Sequence, residues 1–197
     1  MAVKIIKNVR IAFVDALWTM KDYNNDGKFR YRTNFLMAPD SESKKIIDAT
    51  IKEVAIAKWG AKAKDILTQV RAAEKTCFID GNTKTYNGYE GNWALTATRN
   101  PAIAPGAPLV VDLDGKTPIT ESSGRIYSGC YVNAKVDLWP QDNKQFGKGI
   151  RCTLMVVQYA RDGESFGGAP VATTEGMDDL SFEESSDSDL SDDDFDL

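Results

Sequence analysis

Apolar and polar positions alternate at the start of the chain. Val3, Ile5, Val9, Ile11 and Phe13 share one parity, interrupted at Lys7, and predict one long strand or two joined by a bend over residues 4–17. Asn25-Asp26-Gly27 is a tight-turn sequence, since Asn and Gly accept the left-handed backbone such turns need. Period-two alternation resumes over 28–37, so the two segments predict a hairpin. The period then changes. Pro39 with Asp40 or Ser41 opens a helix carrying Ile47, Ile51, Val54 and Ala55 at helical spacing. Gly60 interrupts it, and 62–74 resumes through Ile66, Leu67 and Val70. From Thr76 onward the pattern returns to short strands: 77–79, 93–99, 109–113, 126–139 and 150–159, separated by Gly, Asn, Asp and Pro. This order predicts a mainly β protein, an OB-fold-like barrel with a helical insertion, over residues 1–167. Residues 168–197 collapse into Asp, Glu and Ser with isolated apolar residues. Such a segment buries too little surface to offset its ordering entropy, and it is expected to be a disordered acidic tail.

Charge sharpens this division. The net charge is −5, yet eleven of the 29 acidic residues lie in 175–197, where there is no Lys or Arg. The remainder sets 18 acids against 24 bases and is net basic. Cys77, Cys130 and Cys152 have neither metal-ligand nor disulfide-framework spacing. Histidine is absent, which removes His-activated nucleophiles and the commonest transition-metal ligand. The expectation is a non-enzymatic protein without metal or cofactor. No apolar run approaches the roughly 18 residues of a membrane helix, and residues 1–10 lack the features of a secretory signal. A soluble cytoplasmic protein is expected.

Three stretches could meet an anionic or aromatic ligand. In 126–139, Ile126, Ser128, Cys130, Val132, Ala134, Val136 and Leu138 form a small apolar face suited to a barrel interior. The opposite face carries Tyr127, Tyr131, Lys135 and Trp139. Rings interleaved with a cation can stack nucleic-acid bases, each stack contributing roughly 1–3 kcal/mol; the same rings also suit packing under the helical insertion or at a subunit interface. In 28–35, Lys28, Arg30 and Arg32 share a face, where a phosphate backbone would relieve their repulsion, as would nearby acids. Arg99, Lys144, Lys148 and Arg151 add positive charge in the second half. Tyr86, Tyr89 and Trp93 lie in a Gly- and Asn-rich stretch suited to clamping unstacked bases, although Trp93 also suits a core anchor. Two motif look-alikes fit poorly. Asp22, Asn24, Asp26 and Gly27 match half of a calcium loop, but Thr33 stands where the bidentate glutamate belongs. Asp112-Leu113-Asp114-Gly115 is similar to the nucleophile strand of aspartate-dependent phosphatases, but Pro118 and a β-rich remainder favour a hairpin turn.

Gly124-Arg125-Ile126-Tyr127-Ser128-Gly129-Cys130-Tyr131-Val132-Asn133-Ala134, Gly147-Lys148-Gly149-Ile150, the stretch 158–166 and the ending Asp192-Asp193-Asp194-Phe195-Asp196-Leu197 together resemble the single-stranded DNA-binding proteins of bacteriophages, the T7-type replication group. The resemblance implies an OB-fold protein that coats single strands in phage DNA replication, recombination and repair within the infected host's cytoplasm. It also implies that the tail residues Asp192, Asp193, Asp194, Phe195 and Asp196 recruit phage DNA polymerase and helicase-primase, and that dimers form. This chain departs from the type members in ending with Asp196 and Leu197 after the aromatic residue. The residues themselves leave open an RNA-binding OB protein, a DNA-mimic interaction module without nucleic-acid affinity, and, more remotely, a metal-dependent phosphatase or nuclease using Asp112 and Asp114.

Overall fold

The computed structural model describes residues 2–23 and 25–167; the expected tail at 168–197 lies outside the described residues. The described residues form seven strands: β1 (Ala2–Ala12), β2 (Tyr31–Met37), β3 (Phe78–Asp80), β4 (Trp93–Arg99), β5 (Leu109–Val111), β6 (Tyr131–Asn143) and β7 (Gly147–Arg161). Among the same residues three α-helices accompany them: α1 (Asp15–Trp18), α2 (Glu42–Trp59) and α3 (Ala63–Ala72). The strands form one sheet in the order β3-β4-β2-β1-β6-β7-β5. It closes where β4 meets β7 in parallel, Thr98 opposite Thr153. The closed ring of β1, β2, β4, β7 and β6 is the five-stranded barrel of an OB fold, with β3 and β5 added outside it.

The helical insertion forms where the spacing places it. Ser41 caps α2 by accepting a hydrogen bond from the Lys44 amide, and Gly60, at φ +55°, ends it. Ile47, Ile51 and Val54 of α2, with Ile66 and Val70 of α3, join the barrel core of Ile6, Phe35, Leu95, Val136, Leu138 and Leu154. No helix among the described residues is long and apolar enough to cross a membrane.

Several expectations need correction. The first strand is not of one parity. A β-bulge separates Ile6 from Val9, with Asn8 at φ +53° and its amide donating to the Asn133 side chain. The bulge flips the faces: Ile6, Val9 and Ile11 point inward, while Val3 and Ile5 are exposed. Lys7, which breaks the parity in the sequence, donates its amide to Ser43 Oγ and receives the Ser43 hydroxyl on its carbonyl. Residues 15–18 are helix, not strand, because Phe13 adopts φ +60° and turns the chain out of β1. In 126–139 six of the seven expected interior residues, Ile126, Cys130, Val132, Ala134, Val136 and Leu138, are buried, and Ser128 is half-buried. The strand itself starts only at Tyr131. Gly129, at φ +114°, breaks the extension, and a side chain there would collide with the Glu164 carbonyl.

Both look-alikes are turns. The Asp22 carboxylate accepts from the amides of Asp26 and Gly27. Asp114 accepts from the Lys116 and Thr117 amides and the Thr117 hydroxyl, and these bonds hold its carboxyl below the usual range.

The three cysteines are buried and unpaired. Burial pushes the Cys77 thiol up to about 12 and the Cys130 thiol to about 11, and raises Cys152 well above its ordinary value. Unfolded thiols ionise near the ordinary value of 9, whereas the native ones stay protonated. The unfolded state therefore binds fewer protons above that pH, and native stability is expected to fall progressively as pH rises past it. Thermal unfolding followed from neutral to alkaline pH, with Ellman's reagent present, should show the midpoint dropping there and thiols reacting only with unfolding. Rapid reaction of all three thiols in the native protein would contradict this.

Candidate nucleic-acid interface

A groove of about 960 Å³ runs over the outer surface of the barrel at the seam. Its floor is small and hydroxyl-bearing: Thr96 and Thr98 from β4 and Thr153 from β7. The β1–β2 connection supplies Tyr23, Lys28 and Arg30, with Arg32 from β2 itself. The β6–β7 hairpin supplies Trp139, Phe146 and Arg151. Oligonucleotides on OB folds bind at this combination of strand face and loops.

Each side chain is held by a traceable contact. Trp139 faces Arg151 across the β6–β7 ladder, and its indole N–H donates to Thr153 Oγ1 at 3.0 Å. Arg151 Nε donates to the Gln141 side chain at 3.1 Å. The Arg32 guanidinium lies 4.7 Å from the Tyr23 ring centroid. Lys28 and Phe146 meet across the groove at 6.0 Å. Arg30 differs, since it pairs with Asp26 at 2.8 Å and holds that carboxyl below its usual range. Among the described residues no ion pair engages Lys28, Arg32 or Arg151. The result is a channel with unneutralised cations over a hydroxyl floor and three rings along it. Cations of this kind hold phosphates and rings stack bases, which suits an unpaired strand.

The structure gathers Lys28, Arg30, Arg32, Trp139 and Arg151 in this groove, out of ten candidate body residues. The other five lie elsewhere. Trp93 opens β4, the strand expected over 93–99, and takes the anchoring role and not the clamping one: it packs on Phe78 at 5.1 Å and beneath Lys44 at 4.5 Å. Arg99 has its donors taken by three carbonyls: Gly106 at 2.8 Å, Leu154 at 3.2 Å and Pro105 at 2.7 Å. Tyr127 uses its hydroxyl on the Gly163 carbonyl at 2.9 Å. Tyr131 lies under the Arg161 guanidinium at 3.4 Å, with Arg10 at 5.7 Å. Lys135 is exposed on the outward face of β6, away from the groove residues. Sequence reasoning missed Tyr23 and Phe146. Their signal was an aromatic residue inside an Asn-, Asp- and Gly-rich loop, where no core awaits it.

A second cavity of about 270 Å³ adjoins the groove through the shared residues Tyr23 and Arg32. Phe13, Asp15, Ala16, Lys21, Asn34 and Tyr86 complete it. The last described residues end beside it: Phe166 packs against Gly88 and under Arg10 at 4.1 Å, and Gly167 lies against Asn87, next in the chain to Tyr86.

The sequence model of the family described as Enterobacter phage Enc34 ssDNA-binding protein matches residues 1–191. Protein p50 of Acyrthosiphon pisum secondary endosymbiont phage 1 is 41% identical over 183 residues, which cover 91% of this chain and 94% of that protein. The single-stranded DNA-binding protein of bacteriophage Enc34, solved in complex with ssDNA, superposes with a TM-score of 0.66 at 25% identity over 84% of this chain and 89% of that one. The gp2.5 single-stranded DNA-binding protein of bacteriophage T7 superposes with a TM-score of 0.50 at 14% identity over 93% and 100%, a likeness of fold alone.

The geometry separates two rings that the sequence puts on one face. Trp139→Ala is expected to weaken oligonucleotide binding by about 1–3 kcal/mol. Tyr131→Ala should instead lower the melting temperature, since it removes the ring between Arg10 and Arg161, and should leave affinity near that of the unaltered protein. Fluorescence-anisotropy titrations with labelled (dT) oligomers, paired with melting curves, distinguish these outcomes; the reverse assignment would contradict the placement of the groove.

Proposed function

The chain belongs to the phage single-stranded DNA-binding protein family described from Enterobacter phage Enc34, and from that premise we propose that the groove holds single-stranded DNA without a strict sequence requirement, in phage DNA replication, recombination and repair in the host cytoplasm. The observation that carries the reading is the coincidence of Lys28, Arg32 and Arg151, free of carboxylate partners among the described residues, with Tyr23, Trp139 and Phe146 in one groove at the OB mouth. The Enc34 relative, solved in complex with ssDNA, supports it. The role is non-catalytic, and the chain works as a binding body over 1–167 with a tail over 168–197.

The tail is the regulatory and recruiting element of this proposal. Its eleven acids are tethered at Gly167, near the cavity that opens into the groove, so they compete with DNA at high effective concentration. Asp192, Asp193, Asp194 and Asp196 with Phe195 give partner proteins both charge and an apolar anchor; phage DNA polymerase and helicase-primase are the partners the resemblance implies, and a homodimer is the assembly it implies.

Two measurements test this reading. Binding should release counterions, giving a slope of log affinity against log salt of about −0.7 per phosphate neutralised. Arg32→Ala and Arg151→Ala should each flatten it. A salt-independent affinity would exclude the electrostatic part. Removing residues 175–197 should raise affinity for single strands, most clearly at low salt where charges are least screened, and should abolish partner capture. Phe195→Ala should reproduce the second effect with little of the first. Unchanged behaviour of the truncated protein in both assays would reduce the tail to a solubilising segment.

A further inference from the structure

We propose that Arg10 and Arg161, flanking Tyr131 on the outer face of the barrel, form an anion site that takes carboxylates of this chain's own acidic segment 175–197 and holds that segment off the groove. This rests on the reading of the segment as a competitor of DNA. The site is one row across three strands: Arg10 on β1 lies opposite Tyr131 on β6, which lies opposite Arg161 on β7. Tyr131 is eight residues along β6 from Trp139, about 26 Å of strand, and none of the three residues lines the groove.

The row carries cations without acids. The Arg161 guanidinium lies 3.4 Å from the Tyr131 ring centroid and that of Arg10 5.7 Å from it. Among the described residues no ion pair engages either arginine. Two acids lie in the adjoining return segment. Asp162 accepts from the Tyr127 hydroxyl at 3.2 Å, and Glu164 meets Arg10 through its backbone carbonyl, not its carboxylate. Other acceptors hold the guanidiniums in place. Arg10 donates Nε to the Gly129 carbonyl at 3.0 Å and Nη2 to the Glu164 carbonyl; Arg161 donates Nε to Asn8 Oδ1 at 3.2 Å. Nη1 of Arg10 and both Nη groups of Arg161 are left without a hydrogen-bond partner among the described residues. A guanidinium fixed in this way loses little freedom when it binds a carboxylate, and its planar fork matches the two carboxylate oxygens.

The place where the described chain ends points to the occupant. Its last residues are pinned beside the row: the Phe166 amide donates to the Ser128 carbonyl at 2.9 Å, and the Phe166 ring lies 4.1 Å from the Arg10 guanidinium. The acidic segment is therefore tethered next to the two arginines. Glu175 is eight residues past Gly167, within about 26 Å of extended chain. The eleven acids of 175–197 have no Lys or Arg among them. A tethered polyanion of this kind meets the row at high effective concentration, whereas a DNA phosphate would have to reach it from the groove. Acids bound at the row are not free to enter the groove, so the row limits their competition with DNA.

The test uses the full chain with Ser181→Cys carrying a nitroxide; Cys77, Cys130 and Cys152 are buried, so the new thiol is labelled selectively. At low salt and without DNA, the amide resonances of Asn8, Arg10 and Arg161 should broaden more than those of Arg32 and Thr153 in the groove. Added salt should relieve the effect. Broadening strongest in the groove, broadening at no particular place, or broadening that fades on dilution as a contact between chains would, overturns the proposal. Arg161→Gln, at an exposed position, should abolish the broadening at the row. It should also lower single-strand affinity several-fold at low salt in the full chain and leave affinity unchanged in a chain ending at Thr174. An equal loss in both chains would make the row a DNA contact, and no loss in either would leave the segment unheld; each overturns the proposal while leaving the groove reading in place. Failure of the unaltered protein to bind any oligomer overturns the groove reading, and the nitroxide measurement, which needs no DNA, still decides the anion site.

Discussion

The groove depends on a seam that backbone pairing alone closes weakly. β4 and β7 meet in parallel at one pair, Thr98 opposite Thr153. Arg99, the next residue on β4, reinforces the junction. Its guanidinium donates to the carbonyl of Leu154 on β7 and to those of Pro105 and Gly106 in the loop that follows β4. Hydrogen bonds from a charged donor are roughly twice as strong as neutral ones, so one side chain stands in for a stretch of ladder. Without this closure, Thr96 and Thr98 would not face Thr153, and Arg32 on β2 would not share a channel with Arg151 on β7.

Closing the barrel in this way concentrates like charge. Lys28, Arg32 and Arg151 share the groove with Arg30, and among the described residues Arg30 alone of the four is matched by an acid, Asp26. Solvent weakens their mutual repulsion to a cost the apolar core can carry. An arriving polyanion removes that cost and adds attraction, so the same arrangement that strains the free protein favours the complex. The hydroxyl floor fits this role, because threonine side chains leave room for a strand where larger groups would fill the channel. The Glu74 carboxylate also lines the groove, but Lys84 engages it at 3.6 Å.

Legibility in the sequence followed the range of the interaction. The α2 boundaries were readable from Ser41 and Gly60, because caps are set by neighbours in the chain. The interior face from Val132 to Leu138 was readable because a two-residue period needs no knowledge of the partner strand. The bulge at Asn8 was visible only as the misplaced Lys7, since its cause is the distant side chains of Ser43 and Asn133. Residues 126–130 continued the parity of β6 without being strand, because Gly129 gives way to the returning segment at Glu164. Arg99 and Trp93 have the residue types of a nucleic-acid contact, yet carbonyls from β7 and a nearby loop occupy the first, and Phe78 packs against the second. Composition could not distinguish these uses. Lys28, Arg30, Arg32, Trp139 and Arg151 were named for their chemistry, and only the closure of β4 on β7 shows that they face one space.

The proposed function places the strand over the β4–β7 seam and not on the Tyr127–Tyr131 side of the barrel. Photocrosslinking with oligonucleotides carrying 5-iododeoxyuridine, followed by mass-spectrometric mapping of the modified residues, tests it directly. Crosslinks at Tyr23, Trp139 and Phe146 are predicted. Crosslinks concentrated at Tyr127 and Tyr131, with Trp139 unmodified, would contradict the account.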